Sequence, residues 1–353
     1  MKKETSSNLG CIISFTSFIL SSEFIFSPLH KSGNIIISAI SAFCVGFPCL
    51  LVILHFFREE RSKEKTNTGF FAFTAIVVSA LATVISLMLL TEIIRDVAYV
   101  ANKNVSMFYY ISLSLATLTA SYYLCFNSEK GIYRFCILSG IFFLPVFIMI
   151  FSAFTTTKSL IIDIGGGSIK SLSDSILRGA LTGLFFTTDA CAYITCFNNY
   201  IRDENRILKS RQLKKGYIIS LILIASYNIT TVLIFGSKLT AKIQDPDYAL
   251  VKLLPGIDLT ETISALRIIS FLIKSSVYIF ATSKMLMAAF GKMGTRFNYF
   301  ILIHYILIPV IVIFLTILNK NLEYGAFQHM IYPSVILFSI IIAITNLFFP
   351  KKE

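Results

Sequence analysis

The sequence predicts an all-α integral membrane protein, a bundle of ten transmembrane helices that forms one membrane domain over residues 1–353. Of its 353 residues 56% are hydrophobic and 14% are charged, and the mean hydropathy is +0.77. Soluble proteins carry about 25% charged residues, so little of this chain can form a soluble domain. We therefore interpret the net charge of +12 as loop charge of a multi-spanning protein rather than as a nucleic-acid-binding surface.

Ten apolar runs of about 20 residues are each long enough to cross the hydrocarbon core of a bilayer as a helix. We number them as predicted spans one to ten in chain order. They cover Leu9–Phe26, Ile35–Phe57, Phe70–Leu90, Val105–Phe126, Ile132–Phe154, Ile176–Phe197, Tyr217–Phe235, Thr262–Met287, Phe297–Ile317 and Ile331–Phe349.

The positions of the basic residues predict the orientation of these spans. Most of the 31 lysines and arginines lie at the two termini and in the loops that follow the even-numbered spans. The segment from Arg202 to Lys215 is the most basic of these loops. Cytoplasmic loops are enriched in Lys and Arg, so we expect both termini to be cytoplasmic, which agrees with an even number of spans.

Two loops on the opposite side carry local signals. DPDYALVKLLPG begins with Asp245 as a helix N-cap and Pro246 at the first helical position, and Pro255 and Gly256 end it. This pattern predicts a short helix over the outer mouth between spans seven and eight. The DIGGGS segment at 163–168 lacks the Lys and Ser/Thr of a phosphate-binding loop, so we interpret it as a flexible connector.

The ten spans divide into two repeats of five, residues 9–154 and 176–349, which would have opposite orientations in the membrane. Span one carries Ser21-Ser22-Glu23, and span six carries Gly179 and Gly183 followed by Thr187-Thr188-Asp189. Two hydroxyls and a carboxylate thus recur at matching depth. Inverted-repeat transporters bind their ligands where paired helices are interrupted near the bilayer midplane, so we expect spans one and six to be broken there.

Span eight adds a buried cation to this region. Its polar residues recur mostly at helical spacing and form one stripe, made of Glu261, Ser264, Arg267, Lys274, Ser275, Tyr278 and Thr282. Lys274 lies about midway along the span, where an ammonium needs a counter-charge, and Glu23 and Asp189 are the candidates. Two interpretations stay open: Lys274 occupies a cation position of a sodium-independent or proton-linked ligand site, or these groups are a structural ion pair that holds helices together.

The predicted site is a ligand-binding site. It consists of Ser21, Ser22, Glu23, Thr187, Thr188, Asp189, Lys274, Ser275 and Tyr278. The seven cysteines all lie in apolar runs without a CxxC pair, and the four histidines are scattered. We therefore expect no metal, no cofactor and no catalytic residue.

The chain resembles the spore-germination permease family, the GerAB-type B subunit of germinant receptors, within the amino acid–polyamine–organocation superfamily. The resemblance covers Leu9 to Phe349 and is carried by the order and spacing of several segments. These are the polar first span from Ser21 to Pro28, LRGALTGLFFTTDACAYITCF with its basic loop, TVLIFGSKL, DPDYALVKLLPGIDL and ALRIISFLIKSSVYIFATSKML. Members of that family usually have glycine where this chain has Ser21-Ser22, and Gly and Glu where it has Thr188 and Asp189.

The resemblance implies a LeuT-type fold and a receptor subunit in the inner membrane of a bacterial spore. Its partners would be an A-type subunit and a lipoprotein C-type subunit, and its ligand would be an amino acid or another small nutrient. An autonomous amino-acid or cation transporter on the same fold is the alternative. A membrane acyltransferase is a remote third alternative. The late Ile303-His304-Tyr305 favours it, but such enzymes need an Arg and a His in the first span, and span one has neither.

Overall fold

The computed structural model describes residues 7–26, 34–57, 107–126, 128–156, 169–198, 200–201, 208–240, 243, 246–252 and 260–290. These residues are almost entirely α-helical, which confirms the predicted all-α class. The helices are α1 (Asn8–Phe26), α2 (Ile35–Phe56), α3 (Met107–Phe126), α4 (Ser128–Thr156), α5 (Ile169–Cys196), α6 (Ser210–Phe235), α7 (Ser237–Thr240), α8 (Pro246–Lys252) and α9 (Thr260–Phe290).

Seven of the ten predicted spans fall on these helices. Spans one and two correspond to α1 and α2, spans four to seven to α3 through α6, and span eight to α9. Three described segments, on α2, α6 and α9, are long and apolar enough to cross a membrane: Ile35–His55, Ser210–Phe235 and Glu261–Lys284. Predicted spans three, nine and ten, and the DIGGGS connector, lie outside the described residues, so the ten-helix bundle and its repeat stay predictions.

Helix α1 is the centre of the described bundle. All its residues from Ser14 to Glu23 are buried, so this stretch is covered on every side rather than along one stripe. Its neighbours are α4, α5, α6 and α9. The polar residues near its end are therefore enclosed by other helices.

The prediction that spans one and six are broken near the bilayer midplane is wrong. Helix α1 is continuous through Ser21-Ser22-Glu23, and α5 is a continuous helix of 28 residues that runs through Thr187-Thr188-Asp189. The Ser21 hydroxyl donates to Phe18 O at 2.6 Å, and the Thr188 hydroxyl donates to Phe185 O at 2.5 Å. These hydroxyls bond carbonyls of their own helix, and side chains of other helices donate to Glu23 Oε1 and to both oxygens of Asp189, so the backbone has no need to open.

The two glycines of α5 serve close packing against α2. A Cβ atom at Gly179 would overlap the backbone of Ser38, and one at Gly183 would overlap the backbone of Ala42. Because glycine has no Cβ atom, α2 and α5 can approach closely here, as helices do at small residues in membrane interfaces. The Ser38 hydroxyl also donates to Ser175 O at 2.8 Å across this contact.

The short helix predicted after span seven is confirmed as α8, with Pro246 as its first residue. Asp245 and residues 253–259 lie outside the described part. Tyr248 is buried, its hydroxyl lies 2.9 Å from the Ser264 hydroxyl of α9, and the Arg267 guanidinium stacks 4.7 Å from the centre of its ring. Helix α8 is thus anchored to the first half of α9.

Candidate functional site

The Asp189 carboxylate is the centre of a buried polar cluster between α1, α5 and α9. Its side chain is only 1% exposed. Oδ2 accepts a hydrogen bond from the Ser22 hydroxyl of α1 and lies 2.7 Å from the Lys274 ammonium of α9. Oδ1 accepts a hydrogen bond of 2.5 Å from the Tyr278 hydroxyl. Both oxygens of the buried carboxylate are therefore satisfied by side chains.

Lys274 supplies the positive charge of the cluster. It lies next to the midpoint of the 31-residue helix α9 and is 1% exposed, so its ammonium cannot reach water at either helix end. On the other side, the ammonium lies 3.7 Å from the centre of the Phe18 ring of α1. A cation over an aromatic face is attracted by the ring quadrupole. The ammonium is thus held between a carboxylate and a ring.

Glu23 belongs to a different contact from the one predicted. Its Oε1 accepts a hydrogen bond of 2.7 Å from the Asn228 amide of α6, which also donates to Ile224 O at 2.8 Å. In the described part of the chain, Asp189 is the carboxylate that contacts Lys274. The prediction that Glu23 shares that role is not supported by the geometry, because adjacent residues of a continuous α1 point about 100° apart.

The remaining predicted residues lie around the cluster without contacting its charges. Ser21 and Thr188 bond back to their own helices. Thr187 faces α2, where its hydroxyl lies 3.1 Å from Gly46 O while donating to Gly183 O of its own helix at 2.7 Å. Ser275 faces α3, with its hydroxyl 2.7 Å from that of Ser121. The structure therefore gathers Ser22, Asp189, Lys274 and Tyr278 and distributes the other five over neighbouring interfaces.

Two residues that contact charged residues of the predicted site were missed by the sequence predictions, for different reasons. Phe18 is one of 33 phenylalanines, and nothing in its local pattern marks it as the aromatic partner of a lysine. Asn228 carried a usable signal, because an amide in the apolar run of span seven requires a hydrogen-bond partner. Its pairing with Glu23 could have been considered on that ground.

A second ion pair connects α9 to α4 nearer the end of α9. The Lys284 ammonium lies 2.6 Å from Glu129 Oε2 in the first turn of α4, and it also donates to Cys196 O at the last residue of α5. Carbonyls at a helix C-terminus carry partial negative charge, which favours a cation there. Helices α5 and α9 are thus connected at two levels, by Asp189 with Lys274 and by Cys196 with Lys284.

The chemistry of the central cluster is that of a closed, net-neutral ion pair. A carboxylate and an ammonium cancel in charge, two hydroxyls hold the carboxylate, and a ring covers the ammonium. A buried ion pair is weak evidence for stabilisation, because desolvation offsets much of the attraction. In membrane helices such groups mark ligand or ion pathways by default.

Compared with known proteins, the chain matches no protein-family model and no curated protein sequence.

Proposed function

We propose that this protein is the membrane subunit of a spore germinant receptor, which senses a small nutrient such as an amino acid and triggers germination. The observation that carries the proposal is the buried pair of Asp189 and Lys274, which connects α5 to α9 and reaches α1 through Ser22. The pattern of segments that resembles the GerAB-type family supplies the biological setting. The pair supplies a place where a polar ligand can act.

The proposed sensing mechanism follows from the position of that pair between three helices. A cationic group of a ligand that binds Asp189 must weaken the contact of Asp189 with Lys274, because both oxygens of Asp189 are already engaged. The arrangement of α1, α5 and α9 then changes by as much as the ligand prefers the opened state. An A-type subunit and a lipoprotein C-type subunit would detect this change.

The proposed architecture has ten spans in two repeats of five, with both termini in the cytoplasm and the protein in the bacterial or spore inner membrane. In this architecture α1 and α5 are continuous helices. A ligand would therefore act by shifting whole helices against each other, and we propose no unwound segment in α1 or α5. Lipid surrounds the bundle.

The decisive experiment replaces the ion pair in spores. The double substitution Lys274→Met/Asp189→Asn removes both charges with little change in volume, so no unpaired charge is left inside the protein. We expect the spores to keep normal levels of the protein and to lose germination with the nutrient that it senses.

The matched control is Arg178→Gln/Asp174→Asn, which removes an exposed i,i+4 ion pair of α5 whose side chains are 47% and 49% exposed. Surface pairs contribute little to stability, so these spores should germinate normally. Normal germination of the Lys274→Met/Asp189→Asn spores would refute the proposed sensing site.

An autonomous amino-acid or cation transporter requires the same buried pair, so a separate measurement is needed. The purified protein in liposomes, without A-type or C-type subunits, should show no uptake of radiolabelled amino acids if it is a receptor subunit. Uptake that is lost in Lys274→Met/Asp189→Asn would establish the transporter instead. Loss of nutrient germination on deletion of the neighbouring subunit genes is the result expected for the receptor.

A further inference from the structure

The Lys274 ammonium has hydrogen-bonding capacity that the described residues do not use. It carries three N–H donors. Its contacts are the ion pair with Asp189 Oδ2 at 2.7 Å and the face of the Phe18 ring, so among the described residues a single oxygen is available to three donors. In an apolar bundle such donors favour any acceptor that reaches them.

Ser270 provides a second unused group on the same face of α9. It is completely buried, and within the described helices its hydroxyl has no hydrogen-bond partner. It lies four residues before Lys274, which places the two side chains one above the other on the helix. Other hydroxyls of α9, such as those of Ser275 and Ser283, donate to their own helix at 2.8 Å. The Ser270 hydroxyl is thus an exception within its own helix.

We propose that a zwitterionic ligand of the α-amino-acid class inserts into the Asp189–Lys274 pair. Its ammonium takes the place of the Lys274 ammonium beside Asp189 Oδ2 and the Phe18 ring. Its carboxylate is bound by the displaced Lys274 ammonium and by the Ser270 hydroxyl. The inference rests on the proposed function for its biological meaning and adds Phe18 and Ser270 as ligand-binding residues.

Charge balance selects this class of ligand. The pair of Asp189 and Lys274 is neutral, and it stays neutral when a zwitterion enters, because each ligand charge meets an opposite charge. A simple amine or a simple carboxylate would leave one net charge in the bundle, which low-dielectric surroundings penalise strongly. The exchange therefore discriminates on the presence of both charged groups.

The acceptor half of the site is held in position before a ligand arrives. Tyr278 donates to Asp189 Oδ1, and Ser22 donates to Oδ2, from two different helices. These bonds fix the carboxylate while the ammonium beside it is exchanged. A preorganised acceptor lowers the ordering cost of binding.

The test compares ligands that differ only in their charged groups. Purified full-length protein is heated with each proteinogenic L-amino acid, and every amino acid that raises Tm is compared with its amine and its carboxylate. For L-alanine the matched probes are ethylamine and propionate, and for L-valine they are isobutylamine and isovalerate. We expect a Tm rise that grows with the logarithm of ligand concentration for the zwitterion and none for its two fragments.

Variants then place the binding at these residues. Ser270→Ala should weaken binding of the stabilising amino acid about tenfold, because a hydrogen bond to a charged group is lost. Phe18→Leu should weaken it as well, and Lys274→Met/Asp189→Asn should abolish it. Ser283→Ala is the matched control, since that hydroxyl is equally buried on α9 but bonds Ile279 O, and its binding should equal that of the wild type.

Three results would overturn the inference. One is a wild-type protein that no amino acid stabilises, another is equal stabilisation by the amine or the carboxylate alone, and the third is wild-type binding by Ser270→Ala. The proposed function fails separately. Amino-acid binding without any effect of the gene on spore germination refutes the receptor but keeps this site, whereas germination by a sugar or nucleoside through this protein keeps the receptor and refutes the zwitterion.

Discussion

Two adjacent serines of α1 show how much one residue of rotation matters. Ser22 donates to Asp189 Oδ2 on another helix, whereas Ser21 donates to Phe18 O on its own helix. Both are completely buried, and they are chemically identical. Their different partners follow from the rotation of about 100° per residue in an α-helix. A comparison of Ser22 with Ser21 therefore separates the effect of the bond to Asp189 from the effect of burial.

We expect Ser22→Ala to destabilise the protein by about 1.5–3 kcal/mol, because it removes a hydrogen bond to a buried charge. Ser21→Ala should cost less, since the carbonyl that it leaves still takes part in the helix. The chain contains no tryptophan, so thermal unfolding is best followed with a thiol-reactive fluorogenic dye that reports the buried cysteines Cys11, Cys125, Cys136, Cys191 and Cys196. Equal losses for both serines would argue against the bond to Asp189.

The ion pair itself can be tested by a double-mutant cycle. Asp189→Asn and Lys274→Met each leave one charge without its partner, which for buried pairs costs about 3–5 kcal/mol. The double variant should lose much less than the sum of the two single losses, as residues in direct contact do. Unfolding in detergent, with the four proteins compared side by side, gives the coupling. Additive losses would mean that the two groups do not interact.

The sequence was sufficient to identify Asp189 and Lys274 because charges in apolar runs are rare and must pair. It was not sufficient to assign Glu23, because matching depth in two helices says nothing about rotation about each axis. Three consecutive residues spread over about 200° of a helix, so Thr187, Thr188 and Asp189 could not all face one ligand. The structure places Asp189 against Lys274 of α9, whereas Thr187 faces α2 and α6.

At the scale of the helices, the close contact of α2 and α5 accounts for Gly179 and Gly183, which precede the position of the break predicted in span six. Glycine weakens a helix intrinsically, which favours an interruption when span six is considered alone. Here the absent side chains instead allow the backbones to approach, and hydroxyls such as that of Ser38 bond across the interface. Gly179 and Gly183 thus allow α5 to pack closely against α2, and they do not mark an unwound segment.

Gly183→Ala should therefore destabilise the protein by about 1–3 kcal/mol, the usual cost of overpacking, because the new methyl group meets backbone atoms of Ala42 that cannot rotate away. Gly140→Ala on α4 is the matched control. Its methyl group meets mainly the side chains of Ile13 and Ser17, which can adjust. Thermal unfolding of both variants in detergent provides the comparison, and a larger loss for Gly140→Ala would contradict the packing argument.

At the scale of the whole molecule, the prediction that remains to be tested is the topology. The described helices include three that are long and apolar enough to cross a membrane. The proposal of ten spans with both termini inside rests on the apolar runs and on the basic loops, including Arg202 to Lys215. The number of spans and the orientation are therefore linked.

A C-terminal green fluorescent protein fusion should fluoresce, and a C-terminal alkaline phosphatase fusion should be inactive, because the C-terminus is expected in the cytoplasm. The matched fusion after residue 165, in the loop between spans five and six, should show the opposite pattern. Phosphatase activity at the C-terminus would mean an odd number of spans or an inverted orientation. The basic-loop argument would then fail with it.

The contact of Lys284 with Glu129 and Cys196 connects α9 to α4 and α5 ten residues beyond Lys274. If this contact acts as the pivot, Lys274 lies about 15 Å along the helix and Thr260 about 36 Å, at 1.5 Å per residue. An opening of about 1 Å at Lys274 would then become more than about 2 Å at the far end, close to where Ser264 meets Tyr248 of α8. A small displacement at Lys274 would then be larger where α9 contacts Tyr248 of α8.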